Sequence, residues 1–285
     1  MKYIILLIIS LVVVNISSAQ HISHNHNDSF FAVDVSRVLL IEERYPEYSI
    51  LSTAWNFNGR YVLSSGISIN SSLPFVFVDI EELSLRDDYE QNSFAIGNPY
   101  IGLGIPVDLP TIQVFELSAD IGAFIPVVSI QEENIFARDY GIFANYNNTD
   151  RYISNTLSIP AILNFKQNVN ESAGVNIYGG ATLWIPTEDR EYRDDEFILE
   201  YGISAGTELQ ELIISGILDG RYFATFDGDE FIHSIGGNLG LNLETIQPAL
   251  FINTPIQGFY EDVVDFKFGL SLLINMGEGV GDFYL

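Results

Sequence analysis

Hydrophobic and polar positions alternate along most of this chain, in runs that start and stop together. The clearest run covers 111–126. Phe115, Leu117, Ala119, Ile121, Ala123 and Ile125 fall on one parity, and Glu116, Ser118, Asp120 and Gly122 on the other. A strand sends successive side chains to opposite faces, so such a run has one apolar face and one polar face. Residues 173–185 repeat the pattern, with Val175, Ile177, Ala181 and Leu183 set against Asn176, Tyr178, Thr182 and Trp184.

The same reading predicts strands at 32–41, 48–57 and 60–70. The last two are joined by a tight turn at Asn58-Gly59, a pair that tolerates positive φ. Residues 73–91 read as a long acidic loop, and 96–126 as a hairpin broken at 106–110. A second long connection, 127–154, carries Phe136, Tyr140, Phe143 and Tyr146 at a spacing suited to a short helix. Further strands follow at 157–165, 173–185, 197–207, 212–225, 231–243, 246–253 and 264–274. The total is about twelve, and single-chain bacterial barrels have an even number. Short turns at 58–59, 106–110, 168–171, 208–210 and 244–245 fall at one end. Long loops starting near 73, 127, 186, 227 and 254 fall at the other.

Alternation of this kind also suits a soluble sandwich. Three features favour a membrane. The apolar rows are long enough for tilted strands to cross a bilayer. The opposite face carries Gly, Ser, Asn and Thr, as a narrow lumen would, not the charge of a solvated surface. Aromatic residues gather near strand ends, at Tyr61, Phe75, Trp184, Phe197, Tyr222, Phe231 and Phe266, as interfacial girdles do. The expected fold is all-β, a transmembrane antiparallel up-and-down β-barrel of about twelve strands.

Composition sharpens the picture. Lys2 followed by an apolar run and Ser17-Ser18-Ala19 reads as a secretory signal cleaved after Ala19. That leaves 20–285 as a single barrel domain in the outer membrane of a Gram-negative-type bacterium. The chain has no Cys, so neither a disulfide framework nor a lipid on a cleavage-site Cys is expected. Its net charge is −26, which argues against nucleic acid as a partner. The mean hydropathy is nevertheless +0.20. Both hold because the acids bunch between the apolar runs, as loops between lipid-facing strands do. Loops 79–90 and 188–196 would lie outside the cell and bind divalent cations weakly, without fixed ligand spacing. His21, His24 and His26 fall in a polar tail that reads as loose chain, not a metal site.

No zinc spacing and no phosphate-binding loop is present, and no cofactor is expected. Gly102-x-Gly104 lies on a strand with no helix after it, so a dinucleotide site fails. His233 has lipid-facing parity, so a His-based hydrolase fails too, and the chain reads as no enzyme. The charges with inward parity are Glu116, Asp120, Lys166, Glu200, Asp219, Arg221, Asp265 and Lys267. The plainer account has them pair and fill the barrel; the functional one makes them a solute path. The expected lumen is narrow and mostly closed. Arg221 and Lys267 tie down carboxylates, small inward glycines make space, and an excess of acids gives any leak a cation preference.

The order of features resembles the transporter-like outer-membrane barrels grouped with the phenol-degradation MetA pathway proteins, and more distantly the FadL fatty-acid channels. The matching pieces are Leu73-Pro74-Phe75, Gly97-Asn98-Pro99-Tyr100-Ile101-Gly102-Leu103, Ile125-Pro126 and Trp184-Ile185-Pro186. The group usually has Gly-Asp-Pro where this chain has Gly97-Asn98-Pro99, and often Pro-Thr-Gly where it has Pro126-Val127-Val128. The N-terminal plug of FadL proper is not recognisable. The resemblance implies a barrel and, more loosely, uptake of small hydrophobic or aromatic compounds; the barrel's expected partner is outer-membrane lipid. The alternative is a structural or surface-interaction barrel with acidic extracellular loops.

Overall fold

The computed structural model describes residues 28–40, 51–83, 88–107, 116–128, 134–170, 172–188, 195–225, 231–243 and 245–278. The expected signal segment, the His-bearing tail and most side chains of the acidic stretches 79–90 and 188–196 lie outside the described residues. The strands are β1 (Asp28–Leu40), β2 (Thr53–Val62), β3 (Ser68–Leu83), β4 (Asp88–Ile96), β5 (Tyr100–Val107) and β6 (Glu116–Phe124). A helix, α1 (Ile135–Ala144), precedes β7 (Thr156–Asn170), β8 (Ala173–Pro186), β9 (Glu196–Leu209), β10 (Leu212–Phe223), β11 (Phe231–Leu241), β12 (Ile246–Gln257) and β13 (Val264–Glu278).

Every pairing is antiparallel. The last strand returns to the first, with Val35 opposite Leu270, and β2 joins β3, which closes the ring. Both β4 and β5 lie along β3: Ile96 sits opposite Phe75, and Tyr100 opposite Ser72. They are two halves of one wall strand interrupted at Gly97-Asn98-Pro99, and the result is a closed 12-strand barrel. Both chain ends of the barrel and the short turns share one rim, here the turn end. The long connections share the other, the loop end.

The wall is apolar outside and polar inside. Ile101, Ile121, Ile177 and Ile252 are 54%, 48%, 51% and 53% exposed, while Ser68, Ser158, Thr182 and Ser271 are fully buried. That distribution is the reverse of a soluble sandwich, and soluble monomers rarely expose so continuous an apolar belt. Among the described residues no helix is long and apolar enough to cross a membrane.

Several boundaries differ from expectation, each for a local reason. Asn58-Gly59 is not a turn. Strand β2 runs straight through it, because the Asn58 amide points inward and donates to Asp34 Oδ2. The turn falls at 63–67, where Gly66 takes φ +82° and Leu63 N–H donates to Ile67 O at 2.8 Å. The stretch 73–91 is not a loop either. Past Pro74 the alternation continues through Val76, Val78 and Ile80, all buried, so 79–90 belongs largely to the arms of the β3–β4 hairpin. Strand β12 runs to Gln257, beyond the expected end at 253. Trp184 is no girdle residue: its indole points inward and donates to Asp150.

The core sits at the loop end, inside the barrel. Of the connection after β6, residues 134–155 fold back into the mouth. Tyr140, Phe143, Tyr146 and Tyr152 pack there against Val38, Val76, Val78, Ile80, Ile198, Ile232 and Val264 of the wall. Each fully buried side chain of this size contributes about 1.5–3 kcal/mol, so the inserted segment is firmly seated.

Candidate functional site

The site is the lumen beneath that segment. Its roof is built at the strand interruption. Gly97 is required there, since an added Cβ would lie 2.5 Å from Arg151 O and 2.7 Å from the Pro74 ring. Next to it the fully buried Asn98 uses its whole amide. Its Nδ2 donates to Asp150 O (2.9 Å) and Ile153 O (2.7 Å), and its Oδ1 accepts from Val127 N (3.0 Å) and Val128 N (3.1 Å). Asn98 N–H donates to Arg151 O as well, at 2.6 Å. Both ends of the inserted segment are thereby tied to one wall residue.

An ionic latch holds the later of these ends through the side chain of Asp150. Arg221 of β10 donates through Nη2 to Asp150 and to Glu200 (2.8 Å), and through Nη1 to Thr149 Oγ1 (3.0 Å). Asp150 also accepts from Ser158 and Trp184, and Thr182 donates to Glu200. The guanidinium lies 5.9 Å from the centre of the Trp184 ring. Burial alone would raise the Asp150 carboxyl, but Arg221 and the hydrogen bonds more than offset it, and the group is held below the usual carboxylate range. Tyr146 donates to Asn253 of β12.

Below the roof lies a cavity of about 230 Å³. Asp120 accepts from Asn70 (3.0 Å) and Asn164 (2.6 Å) on its floor. Asp219 accepts from Ser234 at 2.6 Å. Asn147, Asn148 and Arg151 face it from above and Arg60 from the wall. The inward glycines do not leave holes. The Tyr100 ring lies across Gly102 and Gly122, Tyr178 across Gly202, and Phe251 across Gly269.

The charged residues of inward parity therefore separate. Asp120, Glu200 and Asp219 line the cavity, and Arg221 locks its roof. Glu116 and Lys166 face each other across β6 and β7 near the turn end. Asp265 is exposed at the start of β13. The Lys267 ammonium sits 5.9 Å and 5.8 Å from the Tyr146 and Phe251 ring centres, where the Asp219 and Asp34 carboxylates act on it through space. Sequence reading missed Asp34, Arg60, Asn98, Asp150 and Arg151. The misplaced turn hid Arg60, and the aromatic row 136–146 was the one sign that 127–154 needed a covered surface. These residues add two acids, Asp34 and Asp150, and two bases, Arg60 and Arg151, so the excess of acids over bases expected from the sequence is unchanged. His233 lies on the outer face, 2.6 Å from Tyr201 Oη and 2.8 Å from Gln257 Oε1, remote from the lumen. Among the described residues no cluster of three metal-ligating side chains exists.

No protein-family model matches the chain, and no curated protein matches it by sequence. Solved structures do match. The COG4313 outer membrane channel from Pseudomonas putida F1 superposes with a TM-score of 0.61 at 9% identity, covering 93% of this chain and 99% of that one. The CymD monoaromatic hydrocarbon channel gives a TM-score of 0.42 at 8% identity, over 88% of each chain. An anion-selective porin from Comamonas acidovorans gives 0.36 at 9% identity, over 87% of this chain and 98% of that one. The first of these is a likeness of fold: an outer-membrane β-barrel.

Proposed function

We propose that this protein is an outer-membrane channel for a small molecule, exported by its first nineteen residues or so and closed at rest by the segment 134–155. The polar cavity under the inserted segment carries this reading. A barrel that served only as a wall could be filled by wall side chains, as eight-stranded barrels are. Here a separate stretch of chain closes the loop end and leaves a lined chamber below it. Removing one partner of a buried pair leaves the other costly, so the latch is the natural weak point.

Liposome swelling and planar-bilayer recording test it. The unmodified protein should give low conductance. Asp150→Asn combined with Arg221→Gln breaks both ion pairs of the latch, leaving Glu200 without its cation, and should raise conductance several-fold. A large, unselective conductance in the unmodified protein would contradict closure at rest. No flux from either protein, with both correctly inserted, would favour the structural barrel instead.

A further inference from the structure

We propose that the lumen cavity is a binding site for one small, neutral, polyhydroxylated solute, a monosaccharide or a polyol of similar size. Its place in transport rests on the channel reading above; the binding does not.

The lining offers unused hydrogen-bonding atoms of both kinds. Arg60 Nε and Arg151 Nε are buried donors without a partner, and Asn147 Oδ1 and Asn148 Oδ1 are buried acceptors without one. All four residues line the cavity, and the two arginines are only 8% and 6% exposed. A buried polar atom without a partner is unfavourable, so a solute whose hydroxyls these lining side chains can turn to meet gains by entering. A hydroxyl donates and accepts at once, so a ring of hydroxyls suits both sets. A hydrocarbon answers neither. A simple cation answers the amide oxygens but meets like charge at the arginines, and a simple anion answers the arginines but is repelled by the amide oxygens.

The carboxylates do not form a cation seat. Asp120 is bonded by Asn70 and Asn164, Asp219 by Ser234, and Asp150 and Glu200 by Arg221. Tyr100 and Tyr178 lie against the glycines of neighbouring strands and also line the chamber, giving ring surface for the C–H face of a sugar. The volume, about 230 Å³, is below the roughly 300–1,000 Å³ of drug-sized sites and suits a single ring. The chemistry differs from the hydrophobic or aromatic compounds that the sequence resemblance implies.

Equilibrium dialysis of the full chain in detergent tests this, with glucose, phenol and choline as probes. Glucose should bind saturably at one site. Binding should weaken about tenfold or more in Arg60→Met, which lies in the wall, and in Asn147→Leu/Asn148→Leu, which lies in the roof; each residue supplies about one hydrogen bond. Heat-modifiable gel mobility reports that each variant is folded, and Arg60→Met alone decides the matter if the roof variant does not fold. No saturable glucose binding overturns the proposal. So does saturable binding of phenol or choline, sensitive to the same variants, in place of glucose. Glucose binding without liposome flux keeps the site and removes the channel. Flux without saturable binding does the reverse.

Discussion

At the scale of single residues, Asn98 does the most with the fewest atoms. Both its donors and its acceptor oxygen are used by backbone groups of the inserted segment. The barrels this chain resembles usually carry Asp at that place, but a carboxylate would set an oxygen against the carbonyls of Asp150 and Ile153. Asn98→Asp should therefore cost about 1–3 kcal/mol for each carbonyl that loses its donor. Limited proteolysis should then cut within 134–155 while the barrel keeps its unheated gel mobility; an unchanged digestion pattern would show the ties to be dispensable. Asp150 gives a pH dependence. Its carboxyl is held below the ordinary value of 3.8, so its contribution is complete above that value and is lost as pH falls through the depressed one. Trp184 fluorescence should stay constant from neutrality down to about pH 4 and change only below it. A transition near pH 5–6 would point to another group. Little of this was legible beforehand. A side chain that bonds only to distant backbone leaves no periodicity, and Gly97-Asn98-Pro99 stood out only as a motif.

At the scale of elements, strand facing was the legible part, because a period of two survives on every wall strand whatever its length. Where the reading failed, a local signal was taken at face value. Asn-Gly and a proline each looked like punctuation, yet Asn58 was satisfied by a long-range bond and Pro74 sat in a strand whose carbonyl serves Gly97 N–H. The inserted segment was illegible for a different reason. Its partners, from Val38 to Val264, are spread along the whole chain, and no local pattern encodes them. The facing predicts a contrast within β6. An arginine at the bilayer midplane costs about 2–4 kcal/mol on the lipid side, so Ile121→Arg should impair assembly far more than Asp120→Asn, judged by yield of the heat-modifiable form. Equal yields would mean the register is wrong.

At the scale of the whole molecule, the barrel is an inside-out protein with a second, conventional core lodged in its mouth. The two are joined by the middle of the sequence, yet that core grips both ends of it. Val38 of the first strand and Val264 of the last both pack on the inserted segment, close to where Leu40 faces Val264 across the closing pair. Tyr140 receives the Val38 N–H and donates to Ser52 O, and Tyr146 reaches the penultimate strand. Backbone pairing and the small cluster of Phe30, Ala32 and Leu273 zip β1 to β13, and near the loop end the apolar inner surface of that zip is covered by residues from 134–155. The segment is therefore a clasp on the ring as well as a stopper in it. A chain lacking 134–155 should open first between its first and last strands, and a cysteine pair placed across Val35 and Leu270 should restore its resistance to heat where a pair across β8 and β9 should not.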